Sequence, residues 1–387
     1  MTQRSRFIAA VLGLLLLAVV LSACGAAPTA QNWPGLTLDG NTLYVISGSP
    51  QKVLILDAET GAQKQSFPQN WTDLVGQDKP RGVVYWSPVT VGDGVAFVGF
   101  ADSGNSDTWG LYAFDPETGQ RVWKVPVESL VEAAPTYAEG VVYVGDTAGY
   151  VHAIDVETGS EKAGWPFQAT DAVWASPLVV EGRVYIASMD HHLYCLDAAS
   201  GQVLWDHEVG GAMAAQPILE DGILYVGAFD GKMYALNADT GEPVEGFEFK
   251  AGNWIWSEAL MADGKLYVTA LDGKLYALEP SSGAVISPYP YNSATGNAKE
   301  VIRAAPVQAG DAIVVATESG RVIAVRDAVQ KWGPWSSGTA APQGSIYTTP
   351  IVDGDTIYVV LMNGQVWTLN AETGQEARLL FSPPASK

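Results

Sequence analysis

A unit of about forty residues recurs along this chain, and nothing else in the sequence constrains the fold as tightly. Each copy runs from a proline to an acidic residue with glycine. A Val/Leu-Tyr-Val segment, a turn, a Leu-Tyr-Ala-Leu-Asp-like segment and Thr-Gly follow. The clearest copies are Pro177, Glu181-Gly182, Val184-Tyr185-Ile186, Leu193–Asp197, Ser200-Gly201, and then Pro217, Asp221-Gly222, Leu224-Tyr225-Val226, Met233–Asn237, Thr240-Gly241. The closing glycine falls at 61, 119, 159, 201, 241, 283 and 374, and a degenerate copy (Pro306, Ile313–Val315, Val322–Arg326) lies between the last two. The first five intervals are 58, 40, 42, 40 and 42 residues, a period near forty with one early insertion. Eight units fit between Trp33 and the C-terminus.

Each unit contains three strong strand patterns and a weaker fourth, separated by turn chemistry. Asp230-Gly231, Asp272-Gly273 and Asn363-Gly364 are expected to supply the positive φ angles of type I′ hairpins. Asp39-Gly40, Glu139-Gly140, Glu181-Gly182 and Asp263-Gly264 mark the preceding turn. Asp57, Asp115, Asp155 and Asp197 are placed to bond the backbone of the turn after the third strand. Four antiparallel strands per forty residues, eight times over, predict an all-β, eight-bladed β-propeller of four-stranded antiparallel blades. Period-2 patterning and 41 glycines exclude a helical solenoid. Repetition also answers the size problem. A chain of 387 residues exceeds what one core supports, but each blade buries its faces only against its neighbours.

Composition narrows the function classes. With 21 Lys+Arg against 42 Asp+Glu, the chain is a poor ligand for nucleic-acid phosphate. Two cysteines exclude a disulfide-stapled scaffold and a cysteine-rich metal protein. The N-terminus reads as an address. Arg4 and Arg6 precede an apolar run over 7–20, which ends at Leu21-Ser22-Ala23-Cys24. That order resembles the bacterial lipobox, which implies acylation of Cys24. The expected organisation is a lipoprotein signal peptide over 1–23, a lipidated Cys24 with a small-residue tether over 24–32, and the propeller over 33–387. Loss of the leader removes two Arg and no acid, so the remaining chain is more acidic still.

The repeated Val-Tyr-Val-Gly, Leu-Tyr-Ala-Leu-Asp and Thr-Gly, with a following Trp (Trp123, Trp165, Trp205), resemble the pyrroloquinoline-quinone-type propeller repeat. Phe67 and Phe247 stand in for that Trp in two units. The sixth to eighth units show no clear equivalent, so those blades are expected to close less tightly. Two branches of the family bear on function. The quinone-dependent dehydrogenases are typically much longer, with calcium ligands and often an adjacent-cysteine disulfide. This chain has no Cys-Cys pair, and Cys195 occupies a strand position where sister units have Ala. The other branch, the lipid-anchored propeller of the outer-membrane barrel-assembly machinery (BamB-like), is similar in length, repeat number, lipobox and acidity.

Candidate sites come from the repeat register. Three residues before each inner-strand proline, or its equivalent, stand Tyr85, Glu132, Trp174, Ala214, Trp256, Arg303 and Tyr347, with Trp86 and Trp254 nearby. Equivalent residues of every blade lie on one ring around a propeller axis, so these predict an amphipathic partner or ligand surface. Packed as a plug, the ring requires a partner for Arg303, most simply Glu132 or Glu258; as a surface it leaves Arg303 free. Insertions over 62–84, 99–110 and 287–302 lengthen loops that are minimal elsewhere, as recognition loops do. Enzyme readings find less support. Asp190-His191-His192 fills a hairpin turn, but adjacent strand histidines face opposite ways, and His152 and His207 lie in other strand contexts. Glu132 and Glu258 are a carboxylate pair of the kind that hydrolyses glycosides, set against the chance pairing expected among 42 acids.

The expectation is therefore a non-catalytic, monomeric, lipid-anchored extracytoplasmic propeller with no metal or cofactor. It would act as a protein-binding or envelope-assembly scaffold whose partners are envelope or membrane proteins, not nucleic acid. A quinone-dependent or sugar-processing enzyme and a small-ligand sensor are the alternatives.

Overall fold

A computed structural model describes residues 35–48, 51–68, 83–85, 87–102, 108–294, 300–335, 344–375 and 377–383. The leader, Cys24 and the tether lie outside the described residues, as do 69–82 and Trp86.

Among the described residues thirty-three strands form eight separate antiparallel sheets in which, one split strand apart, chain neighbours are sheet neighbours. Blade I holds β1 (Leu36–Asp39), β2 (Thr42–Gly48), β3 (Gln51–Asp57) and β4 (Gln63–Phe67). Blades II to VIII follow over 83–127, 136–168, 178–208, 218–250, 260–292, 307–335 and 351–381. The eight-bladed propeller read from the repeat is thus the fold. In blade II the inner strand is split: β5 (Val83–Tyr85) and β6 (Thr90–Gly92) both pair with β7 (Val95–Asp102).

The patterning follows from where each strand sits. The two middle strands of a blade are covered on both faces by neighbouring blades, so they read as apolar runs: β11 (Val141–Gly145) and β12 (Tyr150–Asp155) are buried almost throughout. The outermost strand has one wet face, and β17 (Val203–Glu208) alternates half-buried with exposed residues. Among the described residues one apolar cluster fills each seam between successive blades, including that between VIII and I. In that last seam Leu36, Leu43, Val45 and Leu56 pack with Tyr358, Val360, Val366 and Leu380, and Arg378 donates to the Glu59 carbonyl. No described strand crosses between the first and last sheets. Side-chain packing closes the ring.

A docking aromatic on the outer strand, or just ahead of it, reaches the next blade. The indole N–H of Trp123 donates to Val156 O (2.8 Å), Trp165 to Ala198 O (3.3 Å) and Trp205 to Ala238 O (3.0 Å). A β-carbon at Gly241 would meet the Trp205 ring at 2.7 Å, so the Thr-Gly glycine provides the flat bed on which the indole lies. The expectation that the sixth to eighth blades lack this dock is corrected for the sixth and seventh; in the eighth an aliphatic residue, Leu380, takes its place against Gly61. Tyr289 is buried in the VI–VII seam, and Trp332 donates to Ala371 O (3.2 Å) in the VII–VIII seam.

The turns differ in one respect from their expected types. Two successive positive φ angles, as type I′ needs, occur in the first hairpin of a blade: Glu139 and Gly140 (48° and 76°), Glu181 and Gly182 (51° and 73°), Asp263 and Gly264 (49° and 69°). At Asp230-Gly231, Asp272-Gly273 and Asn363-Gly364 only the glycine is positive. There the Asp or Asn side-chain oxygen closes the turn instead, Asp230 Oδ1 accepting from Lys232 N (2.9 Å) and Asn363 Oδ1 from Gln365 N (3.0 Å). The third-strand aspartates behave as expected: Asp155 Oδ1 accepts from the Thr158 N–H (2.9 Å) and hydroxyl (2.8 Å). The 99–110 insertion is largely not a loop. It extends β7 and β8 (Thr108–Phe114), with Gly99 opposite Leu111 and Asp102 opposite Thr108.

Candidate functional site

The segments that carry the chain from the outer strand of one blade to the inner strand of the next lie at the same end of the blades as the turns between second and third strands. Backbone bonds stitch the two together. Met189 N donates to Ala172 O, Phe229 N to Ala212 O, Leu271 N to Trp254 O, Glu318 N to Val301 O and Met362 N to Ser345 O, at 2.8–3.0 Å. Within each crossover the side chains alternate. Val131, Val173, Met213, Ile255, Ile302 and Ile346 point into the core, and the next residue of each faces outward and is half-buried: Glu132, Trp174, Ala214, Trp256, Arg303 and Tyr347. Tyr85 closes β5 opposite Phe100.

The structure draws part of this ring into one assembly. Trp254 and Trp256 both stack on Phe229, with centroids 4.8 and 5.2 Å away and planes within 12°. The Arg303 guanidinium lies 5.1 Å from the Trp256 ring and 5.7 Å from the Tyr347 ring. Its Nε is 3.2 Å from Glu318 Oε2, and the Tyr347 hydroxyl donates to Glu318 Oε1 at 2.9 Å. Burial first, and then Glu318, raise the Tyr347 pKa, so this hydroxyl keeps its proton. Arg303 is thus paired, as a plug was expected to require, though with Glu318 and not with Glu132 or Glu258; the free Arg303 expected of a surface is not found.

Phe229 and Glu318 were not among the sequence candidates. They belong to a second column of the repeat, two residues past the end of the second strand, which also holds Thr147, Met189, Leu271 and Met362, all half-buried. Aligning the units on that strand exposes this column. Trp174 and Glu132 lie on the same register without joining the stack. The Trp174 indole nitrogen is buried with no hydrogen-bond partner. Burial raises the pKa of both Glu132 and Glu258.

The histidines separate as well. His191 occupies the turn with φ of 75°, while His192 Nδ1 lies 3.1 Å from Asp206 Oδ2. Cys195 is buried in β16 (His192–Asp197), where burial pushes its thiol up to about 11. An anionic quinone needs unengaged cations, and the residues here do not fit one. Arg303 is held by Glu318, Arg321 by Glu300 (3.0 Å), and three further carboxylates, Glu132, Glu258 and Asp272, occupy the crossovers and turns of this end.

An eight-bladed propeller built of Tyr- and Trp-docked repeats, with a half-exposed aromatic and cationic rim, defines the class. The sequence profile of the family described as "Outer membrane protein assembly factor BamB" matches residues 69–174 and 162–378, and the chain belongs to that family. BamB of Moranella endobia is 29% identical over 195 residues, 47% of this chain and 45% of that protein. The quinohemoprotein alcohol dehydrogenase of Comamonas testosteroni is 32% identical over 96 residues, 21% of this chain and 13% of that protein. The chain thus spans less than half the length of these curated relatives. The crystal structure of BamB from Moraxella catarrhalis superposes with a TM-score of 0.67 at 19% identity, covering 88% of this chain and 94% of the other. A computationally designed protein, Ika8, gives 0.69 at 14% identity, covering 88% and 96%. At such identities the likeness is one of fold.

Proposed function

We propose that this chain is a non-catalytic envelope-assembly scaffold, tethered outside the cytoplasm by a lipid on Cys24, which docks a membrane-protein segment on its aromatic rim. The observation that carries the reading is the stack of Trp254, Phe229 and Trp256, capped by an Arg303 already paired with Glu318. Half-exposed, pre-ordered aromatics with a fixed guanidinium are the side chains that dominate protein–protein binding energy. Their ordering within the free protein lowers the entropic cost of docking. The partner segment would present aliphatic or aromatic side chains to the stack and basic residues to the surrounding acidic surface. Membership of the BamB family and the Leu21-Ser22-Ala23-Cys24 sequence support the envelope location.

A photo-cross-linking residue in place of Tyr347, on the rim face, is expected to capture an integral envelope protein in intact cells. The same residue in place of Glu181, on the opposite face, should capture little. In the same experiment Cys24→Ala should move the protein to the soluble fraction, because bacterial lipid anchors supply two or more acyl chains. Equal capture from both faces would overturn the docking assignment, and membrane retention of Cys24→Ala would overturn the anchor.

A further inference from the structure

Blades IV, V and VI share a small polar device at the turn between second and third strands. A third-strand tyrosine donates to the turn aspartate: Tyr194 to Asp190 (2.7 Å), Tyr234 to Asp230 (2.6 Å) and Tyr276 to Asp272 (2.6 Å). Blade III abandons it. His152 takes the place of the tyrosine, Ala148 that of the aspartate, and a new carboxylate, Asp146, appears where the sister blades have Ser188, Ala228 and Ala270. His152 is 3% and Asp146 0% exposed. A buried carboxylate and a buried imidazole put into one blade of a repeat, with a third acid brought to them from the preceding blade, call for an explanation beyond packing.

The geometry supplies one. His152 Nδ1 lies 2.9 Å from Glu161 Oε2, and Glu161 Oε1 accepts from Ala153 N at 2.9 Å, so the ring is fixed from one side. Its Nε2 faces Glu128 Oε2 at 3.0 Å and Asp146 Oδ2 at 3.9 Å, yet makes no well-directed hydrogen bond to either. The three facing atoms all lie within 4.8 Å of one another. Asp146 is itself oriented: Oδ1 accepts from Ala148 N and Tyr150 N (both 2.9 Å), and Oδ2 from Ser129 N (3.0 Å). Around a tetrahedral ion with bonds of about 2.0–2.1 Å, ligand atoms stand about 3.3 Å apart. The observed separations bracket that value. A carboxylate behind the imidazole is the usual support of a metal-binding histidine.

We propose that Glu128, Asp146 and His152 form a binding site for a divalent transition-metal ion of the zinc class. Glu161 acts as the positioning carboxylate, and a fourth coordination position is left open. Glu128 follows β9 (Arg121–Val127) of blade II while the other two ligands belong to blade III, so the bound ion pins the II–III seam. One nitrogen and two carboxylate oxygens suit Zn²⁺ or Co²⁺ better than Ca²⁺, which takes six or more oxygens.

The test uses the full chain, stripped with chelator and titrated with Zn²⁺, and with Co²⁺ for its visible spectrum. Wild type should take up one Zn²⁺ per chain at micromolar concentration, melt higher with it, and give the absorption band of low-coordinate Co²⁺. His152→Tyr, which restores the sister-blade residue, should lose all three responses, and His192→Ala should keep them. Glu128→Gln changes an exposed side chain and provides a folded variant in any event; it should weaken binding at least tenfold. Uptake unchanged in both His152→Tyr and Glu128→Gln would overturn the site. So would wild type that binds no Zn²⁺, leaving the cluster as an imidazolium held by carboxylates.

Discussion

His191 holds a φ of 75° at a turn position where Gly231 and Gly273 stand in the next two blades, at 82° and 77°. A side chain in the left-handed region costs about 1–2 kcal/mol, partly offset by the extra unfolded-state freedom of glycine. His191→Gly should therefore stabilise the protein by about 0.5–1 kcal/mol in denaturant titration; a loss would mean the imidazole makes a compensating bond. Glu258 shows the opposite kind of cost. Burial raises its pKa above the ordinary 4.5, so the folded state holds this proton more tightly than the unfolded state. Stability from this group consequently rises as pH falls through the folded pKa and levels off near the unfolded value. Glu258→Gln should melt higher than wild type at pH 7, with the gap shrinking toward pH 4.5. A gap independent of pH would place the effect elsewhere.

At the scale of the element, the docking aromatic joins one blade to the next. Trp332 is 8% exposed and bonds across the VII–VIII seam, so Trp332→Ala should cost about 3–5 kcal/mol of stability. Val329→Ala, at a position 66% exposed on the same strand, should change stability by less than about 0.5 kcal/mol, and equal losses would contradict the dock. Trp332 was hidden in the sequence for a physical reason. Unit VII replaces the Asp-x-x-Thr-Gly turn with Asp327-Ala328, both at positive φ (49° and 56°), and β29 (Val329–Trp335) carries register shifts. The indole therefore reaches a carbonyl 39 residues ahead instead of 33, outside the spacing that identifies Trp123, Trp165 and Trp205. Strands and the aspartate-capped turns were legible because their signals are local and repeated. The extended β7–β8 ladder was not, because its glycines at 99 and 110 and its polar tip mimic a loop.

Over the whole molecule, periodicity makes equivalent positions coaxial, and for that reason a register count could locate the rim without coordinates. It could not say which rim residues meet. Trp254, Trp256, Arg303 and Tyr347 come together only through Phe229 and Glu318, which belong to another column of the repeat. The blade III carboxylates around His152 were invisible for a related reason. Glu161 reaches it from nine residues away through the turn of its own blade, and Glu128, 24 residues away, converges on it only when two blades pack.

The central claim is that the rim is a docking surface and not a plug, and Trp256→Ala tests it most directly. The indole is half-buried and stacks on Phe229 and Arg303, and among the described residues it makes no hydrogen bond across a seam as the docking tryptophans do. Thermal melting and capture of the envelope partner, measured on the same preparation, should show a melting temperature within a few degrees of wild type and partner capture reduced at least tenfold. A large drop in melting temperature with capture unchanged would contradict the account.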